Sequence, residues 1–466
     1  MRADVGADGR PPASASLKRA LAVFADLWGP VAVALFLGAA WLIGGANNAW
    51  STQAFTALAC AIGIVALLDR RVVTTVTDLA ANRWLMIGLF ATFGVIALQL
   101  TPIAACQGST PIWARPDMVT IDPDFTVRGL VALSAPAVLF VIGAAHGAHK
   151  GFRVAALACL ALALGVLLAQ AWFDLQAQRA LPDDVAGPDV ARLNAAFVSA
   201  NTLASIIVLG LFACAGVAVA ARARAGGGRG ALFAGAALLI AAALAAALFL
   251  TQSRAGWLAT LVGLAALAAL LARRSGVAMA ALAGLGVAAA LAVVLGPALG
   301  PMLGLPAREL DVAGSVASRV PEWRGAWALF LDRPCLGWGA GAFALAFEPL
   351  QPAPESSLIL MATTPHNWPL LILSEQGVAG LLAWTILGVG IILHVRRGRG
   401  APGGRRALAC GIAAGLVAVV AHNLVDYSLA VPAVAGLWAY LAGFAGGLGG
   451  TGRGAPGVRM SGKAAE

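Results

Sequence analysis

Apolar runs of bilayer-crossing length alternate with short polar breaks along almost the whole chain. They fall at roughly 27–45, 52–68, 84–102, 128–146, 153–172, 195–220, 229–250, 255–272, 276–298, 367–394, 407–424 and 430–449, which gives about twelve expected spans. Backbone amides inside lipid must be paired within their own segment, so these runs are expected to be helices. The pattern predicts an all-α polytopic membrane protein. Residues 1–26 open on a polar, small-residue stretch (MRADVGADGRPPASASLKRA) with no apolar core of a signal peptide, and read as a disordered cytosolic tail. The membrane domain is expected over 27–449, with a second cytosolic tail at 450–466.

Composition sharpens this picture. Of the 466 residues, 60% are hydrophobic and only 11% charged, with a mean hydropathy of +0.87. A net charge of +10 would suggest nucleic acid in a soluble chain. Here 22 of the 31 Lys and Arg fall in segments that lie on one side when the N-terminus is inside, so the basic residues mark cytosolic loops and no nucleic-acid partner is expected. Both termini are then cytosolic. Loops at roughly 103–127, 173–194 and 299–366 lie outside and carry most of the acids. The six cysteines show no CxxC and no Cys/His metal spacing. Cys60, Cys159, Cys214 and Cys410 sit in apolar runs as packing residues; Cys106 and Cys335 fall in outside loops, as two thiols or a disulfide. Small residues in runs such as Gly230–Leu250 suit close helix packing. The chain shows no internal repeat and no paired broken helices, which weakens a transporter reading.

One stretch, Gly314 to Gly380, breaks the apolar monotony with arginines, acids, tryptophans, glycines and a His-Asn pair. Val320, Trp323, Trp327 and Phe330 form a helical stripe, Pro321 suits the first turn, and Asp332-Arg333-Pro334 ends it. Such a helix suits the membrane surface, with Arg319 and Arg324 near its anion-favouring start. Arg254, in the tight TQSRAGW connection, fits equally a guanidinium snorkelling to headgroups and one held for a lipid phosphate. GWGAGAF (337–343) has no preceding strand and reads as a tight turn rather than a dinucleotide cradle. Asp122-Pro-Asp124 is a DxD that reads better as a solvated turn than as a metal site. His366-Asn367 opens the next span at the outer surface, where an imidazole can take a proton from a hydroxyl. Glu375 follows within an apolar helix, where a carboxylate needs a partner. His422 and Asp426, four apart, are expected to pair, and Asn201 to act as polar glue near the outer end of its span.

In this order, SRAGW, SRVPEWRGAWALFLDRPCLGWGAGAF and PHNWPLLILSEQGVAGLLAW, together with FVSANTLA and HNLVDYSL, resemble the O-antigen ligase/polymerase family, over about residues 190–430. The resemblance implies a GT-C-like, metal-independent, inverting glycosyltransferase without a cofactor. It implies a glycan donor on undecaprenyl diphosphate and an active site at the periplasmic face of the bacterial inner membrane. Arg254 and Arg319 match the family's diphosphate-holding arginines and His366 its histidine; Arg324, Asn201, Asn367 and Glu375 stand as substrate-binding candidates. The favoured acceptor is lipid A-core. A polysaccharide polymerase of the same family is the alternative; a protein O-glycosylating enzyme or a lipid-linked glycan flippase lies further off.

Overall fold

A computed structural model describes residues 13–102, 118–179, 192–197, 199–223, 228–272, 317, 319–351 and 364–450. Among the described residues all regular structure is helical. In chain order the helices are α1 (Ala13–Leu42), α2 (Ala49–Ala66), α3 (Arg70–Ala80), α4 (Arg83–Gln99), α5 (Pro123–Ala132), α6 (Ser134–Ala148), α7 (Lys150–Arg179), α8 (Ala200–Ala223), α9 (Gly228–Leu250) and α10 (Arg254–Leu271). After them come α11 (Val320–Asp332), α12 (Phe343–Phe347), α13 (Trp368–Arg399), α14 (Gly404–His422) and α15 (Pro432–Gly447).

Eight helices among the described residues are long and apolar enough to cross a membrane, or nine when the bent α3–α4 pair counts as one span. The chain is thus a multi-pass membrane protein. Every expected apolar run within the described residues carries a helix. The part of α1 from Asp26 to Leu42 and the whole of α15 are shorter apolar helices, and the expected run 276–298 lies outside the described residues. One expectation changes at the start of the chain. Helix α1 begins at Ala13, inside the segment read as a disordered tail, because Ala, Leu, Lys and Arg there are strong helix formers that extend the apolar run backwards.

The centre of the bundle is built from α6, α8, α14 and α15. Helix α15 is almost wholly buried, and α8 and α14 bury most of their lengths. Helices α6 and α15 cross through two facing GxxxG sequences, Gly143–Gly147 and Gly443–Gly447. A Cβ on Gly143 would lie 2.0 Å from the Tyr440 carbonyl oxygen, and one on Gly443 would lie 2.0 Å from that of Phe140. The backbones touch directly, as small residues allow in lipid. The alanine-rich α9 behaves otherwise: most of it is exposed, and Gly235 meets nothing within 4 Å. Only one face, with Ala234, Ala237, Leu244, Ala247 and Leu248, is buried, where α9 packs on α8.

At the opposite end from the site described below, α3 turns 88° away from α4. Val72, Thr75 and Leu79 pack it against the bundle. Asp69 caps it, and Arg71 pairs with Asp69 at 2.8 Å and Asp26 at 2.5 Å while lying 3.9 Å over the Phe152 ring. One guanidinium therefore ties α3 to α1 and α7. Helix α4 runs along α13, where Gly88 and Gly390 permit close approach.

Helix α13 is interrupted at Gly377, whose φ of 61° and ψ of −162° break the helical path. From Val378 to Arg399 it spans roughly 33 Å at the helical rise, which by itself matches a hydrocarbon core of about 30 Å. The turns from Trp368 to Gln376 are additional to that length.

Replacing Gly143 with leucine should cost about 1–3 kcal/mol through overpacking, seen as a lower melting temperature in detergent. Gly235→Leu, on the open face of α9, should melt like the parent protein.

Candidate functional site

Five helix ends meet at one end of the bundle: the starts of α8, α10, α11 and α13 and the end of α14. The last carbonyls of any helix lack intrahelical partners, and the turn that follows α14 adds further carbonyls outside the helix. Three successive carbonyls there are taken up from outside. Asn423 O accepts the Trp368 N–H at 2.9 Å, Leu424 O accepts from Asn367 Nδ2 at 2.7 Å, and Val425 O accepts from Arg319 Nη1. The turn also holds itself: Asn423 Nδ2 donates to Val419 O, and its Oδ1 accepts from Leu429 N.

Beneath this turn lies a buried polar chain. Ser205 Oγ is 2.8 Å from His422 Nδ1, and His422 Nε2 is 3.3 Å from Asp426 Oδ2, all three groups being fully buried. The expected His422–Asp426 pairing is present, bridging the helix end and the turn after it. Asp426 also accepts from the Tyr427 backbone N–H at 2.7 Å. Burial pushes its carboxyl up, but the His422 hydrogen bond and charge, the Tyr427 N–H and the Arg319 charge outweigh burial and hold it below the usual range.

Above the turn, His366 Nδ1 lies 2.9 Å from Glu322 Oε2, in the first turn of α11. The His366 ring sits edge-on to Tyr427, with centroids 5.2 Å apart and planes at 82°. His366 adopts a left-handed φ of 46°, a costly conformation for a residue with a Cβ. It is held by Asn367, which caps α13 by accepting from Leu370 N at 2.9 Å while its amide nitrogen engages Leu424. Both ends of the Asn367 side chain are thus engaged with the backbone.

Arg254 is the first residue of α10, half-buried, directly after the cap Ser253. Ser253 Oγ donates to Asn201 Oδ1 at 2.7 Å and accepts from Gly256 N at 3.1 Å. Asn201 therefore positions the turn that carries Arg254, and Ser205, one helical turn further along α8, joins the same helix to His422. The expected residues Arg319, His366 and Asn367 are brought together around the 423–427 turn; Arg254 and Asn201 are tied to them through α8. Arg324 is exposed on α11.

Glu375 belongs to a separate cluster. Its Oε1 accepts from Phe343 N at 3.2 Å, and its backbone carbonyl accepts from Gly339 N at 2.9 Å and Gln99 Nε2 at 2.7 Å. Trp338 N donates to Ser374 O, while Val378 N and Ala379 N donate to the carbonyls of Pro334 and Cys335. The GWGAGAF segment is the expected tight turn, with Gly337, Gly339 and Gly341 at φ of 69°, 116° and 77°. It fills the break in α13. Glu375 thus finds its partner in the backbone, away from Arg319 and His366. Arg333 closes this cluster, fully buried, with Nη1 donating to Val119 O at 2.8 Å and its guanidinium 4.0 Å over Trp338.

Helix α11 forms as expected, but it buries Ala326 and Leu329, while the stripe containing Trp327 is half exposed. The aromatic face is turned outwards. In the DxD, Asp122 Oδ1 caps α5 by accepting from Asp124 N and Phe125 N. Cys335 is exposed, and Cys106 lies outside the described residues.

Glu322, Tyr427 and Ser253 were not singled out by the sequence reading. Ser253 carried a signal, being a serine directly before an apolar helix. Glu322 offered only an acid in a first helical turn, which the helix dipole alone explains.

Residues 236–385 match the family model described as O-antigen ligase. The matched segment contains Arg254, Arg319, Glu322, His366 and Glu375, and leaves out Asn201 and the His422–Asp426 turn. No curated protein matches the chain.

Glu375→Ala should strip the Phe343 N–H of its buried acceptor and cost about 1–3 kcal/mol of stability. Thermal melting in detergent checks this, with Glu375→Gln, which keeps an acceptor oxygen, falling between the two.

Proposed function

We propose that the chain, whose residues 236–385 match the O-antigen ligase family model, is a glycosyltransferase of that family moving a glycan from undecaprenyl diphosphate to an acceptor hydroxyl, with lipid A-core the favoured acceptor. The reaction takes place at the periplasmic face of the inner membrane, with both termini cytosolic and about twelve spans in a GT-C-like arrangement. The carrying observation is that a guanidinium and an imidazole meet at the 423–427 turn, where Arg319 donates to Val425 O and His366 stands against Tyr427 beside Asn367, itself bound to Leu424 O.

Each group has a step. The acceptor oxygen forms a bond to the anomeric carbon, and its proton passes to the imidazole. The anomeric carbon–oxygen bond to the diphosphate breaks, and that electron pair leaves with the lipid diphosphate. Arg254 and Arg319 stabilise the growing negative charge, a role suited to preorganised planar donors. Arg319 spends one of its five N–H donors on Val425. Attack from the face opposite the leaving group inverts the anomeric centre. An apolar groove of about 260 Å³, lined by Leu211, Ala245, Leu248, Phe249, Trp257 and Thr260, lies beside the Arg254 turn. It suits the donor's hydrocarbon.

Purified protein mixed with undecaprenyl-diphosphate glycan and lipid A-core, against His366→Ala, tests the reading. Label on lipid A-core supports a ligase, a ladder of longer lipid-linked chains supports a polymerase, and no transfer with either acceptor overturns it. Arg319→Lys should lose most activity, since an ammonium lacks the fork geometry; near-normal turnover would refute the bidentate role. Because the Asp122 carboxylate is spent as a helix cap, EDTA should leave turnover intact. Chelator inhibition reversed by Mg²⁺ or Mn²⁺ would show a metal requirement.

A further inference from the structure

We infer that Glu322 is a positioning residue that sets the working tautomer of His366, an inference that rests on the transferase reading above. A carboxylate offers only acceptor oxygens. At 2.9 Å from Glu322 Oε2, His366 Nδ1 must therefore carry the hydrogen, which leaves the Nε2 lone pair free to take a proton. The tautomer of a catalytic imidazole is generally fixed by the partner of its other nitrogen.

The geometry around the pair serves that single contact. His366 is held in a left-handed backbone conformation between the buried Pro365 and the capping Asn367, and Tyr427 bounds the ring on its edge. Only rotation about the side-chain bonds remains, and Glu322 removes it. The ring is still about one-third exposed, at 33%, so an acceptor can reach it. Glu322 stands three residues after Arg319, one turn along the same short helix. The first turn of α11 thus carries both the guanidinium assigned to the donor diphosphate and the carboxylate that orients the acceptor's base.

The test measures kcat and donor KM for Glu322→Ala and Glu322→Gln with undecaprenyl-diphosphate glycan, beside the parent protein and His366→Ala. Both Glu322 variants should lose on the order of 10²-fold in kcat, with donor KM within about twofold. The glutamine variant should be as slow as alanine, because an amide can donate to Nδ1 and select the opposite tautomer. Adding Glu322→Ala to His366→Ala should cost nothing more, since groups acting as a unit are non-additive. Binding of undecaprenyl diphosphate should be equal in all variants, a readout available even where turnover is undetectable. Parent-like kcat, weakened donor binding in step with lost turnover, or a further loss on the His366→Ala background would each overturn the assignment. If the parent protein itself transfers nothing, the transferase reading has failed; if the parent and His366→Ala behave as expected and only Glu322 is indifferent, this inference alone has.

Discussion

Three adjacent carbonyl oxygens at the end of α14 govern the geometry of the end of the bundle that carries the candidate site. Carbonyls at and just past a helix end have no partner inside the helix, and each of these three finds a donor within the protein. Here the donors are the first amide of α13, the side chain that caps α13, and a guanidinium from α11. Solving a backbone problem thereby assembles a cation, an imidazole and a carboxylate on one turn. Below it, the buried Ser205–His422–Asp426 chain prevents the turn from sinking or swinging. A buried polar chain adds little net stability, but removing one member leaves the next without its partner, which is expensive. Its value here lies in fixing position.

The second clasp works on the same logic with other parts. The break at Gly377 exposes amides and carbonyls on both sides, and the 334–339 segment supplies the complementary groups nearly one for one. Gln99 reaches in from α4 to touch Leu336 O, Glu375 O and Ala340 N with a single amide. Charged side chains that stand out in the sequence thus divide into two kinds. Arg319 and His366 keep a face turned towards the site, whereas Glu375 and Arg333 are consumed in holding the turns that surround it.

Much of this was legible in the chain. Length and hydropathy gave the helical runs, the Pro–Trp–Trp–Phe spacing gave α11, and the i, i+4 spacing gave the His422–Asp426 pair. What could not be read were contacts between residues far apart in sequence. Glu322 and His366 are 44 positions apart, and no local periodicity links an acid in one helix to a histidine before another. Asn367 stood among the substrate-binding candidates, and its part as cap of α13 and clamp on Leu424, 57 positions away, was not visible in the sequence. The aromatic stripe of α11 was visible, but whether it faced protein or lipid depended on Phe347, against which Gly325 packs flush on the other side.

The interruption of α13 also bears on how the molecule sits among lipids. An unbroken helix of this length would exceed the hydrocarbon thickness and would tilt as the bilayer thins or thickens. The break at Gly377 instead leaves a membrane-length helix from Val378 onward, and the 334–339 segment holds the backbone on both sides of the break. The turns from Trp368 to Gln376 are thereby joined to the glycine turn at one end and to the turn after α14 at the other, so His366 stands at the head of a short helix anchored at both ends.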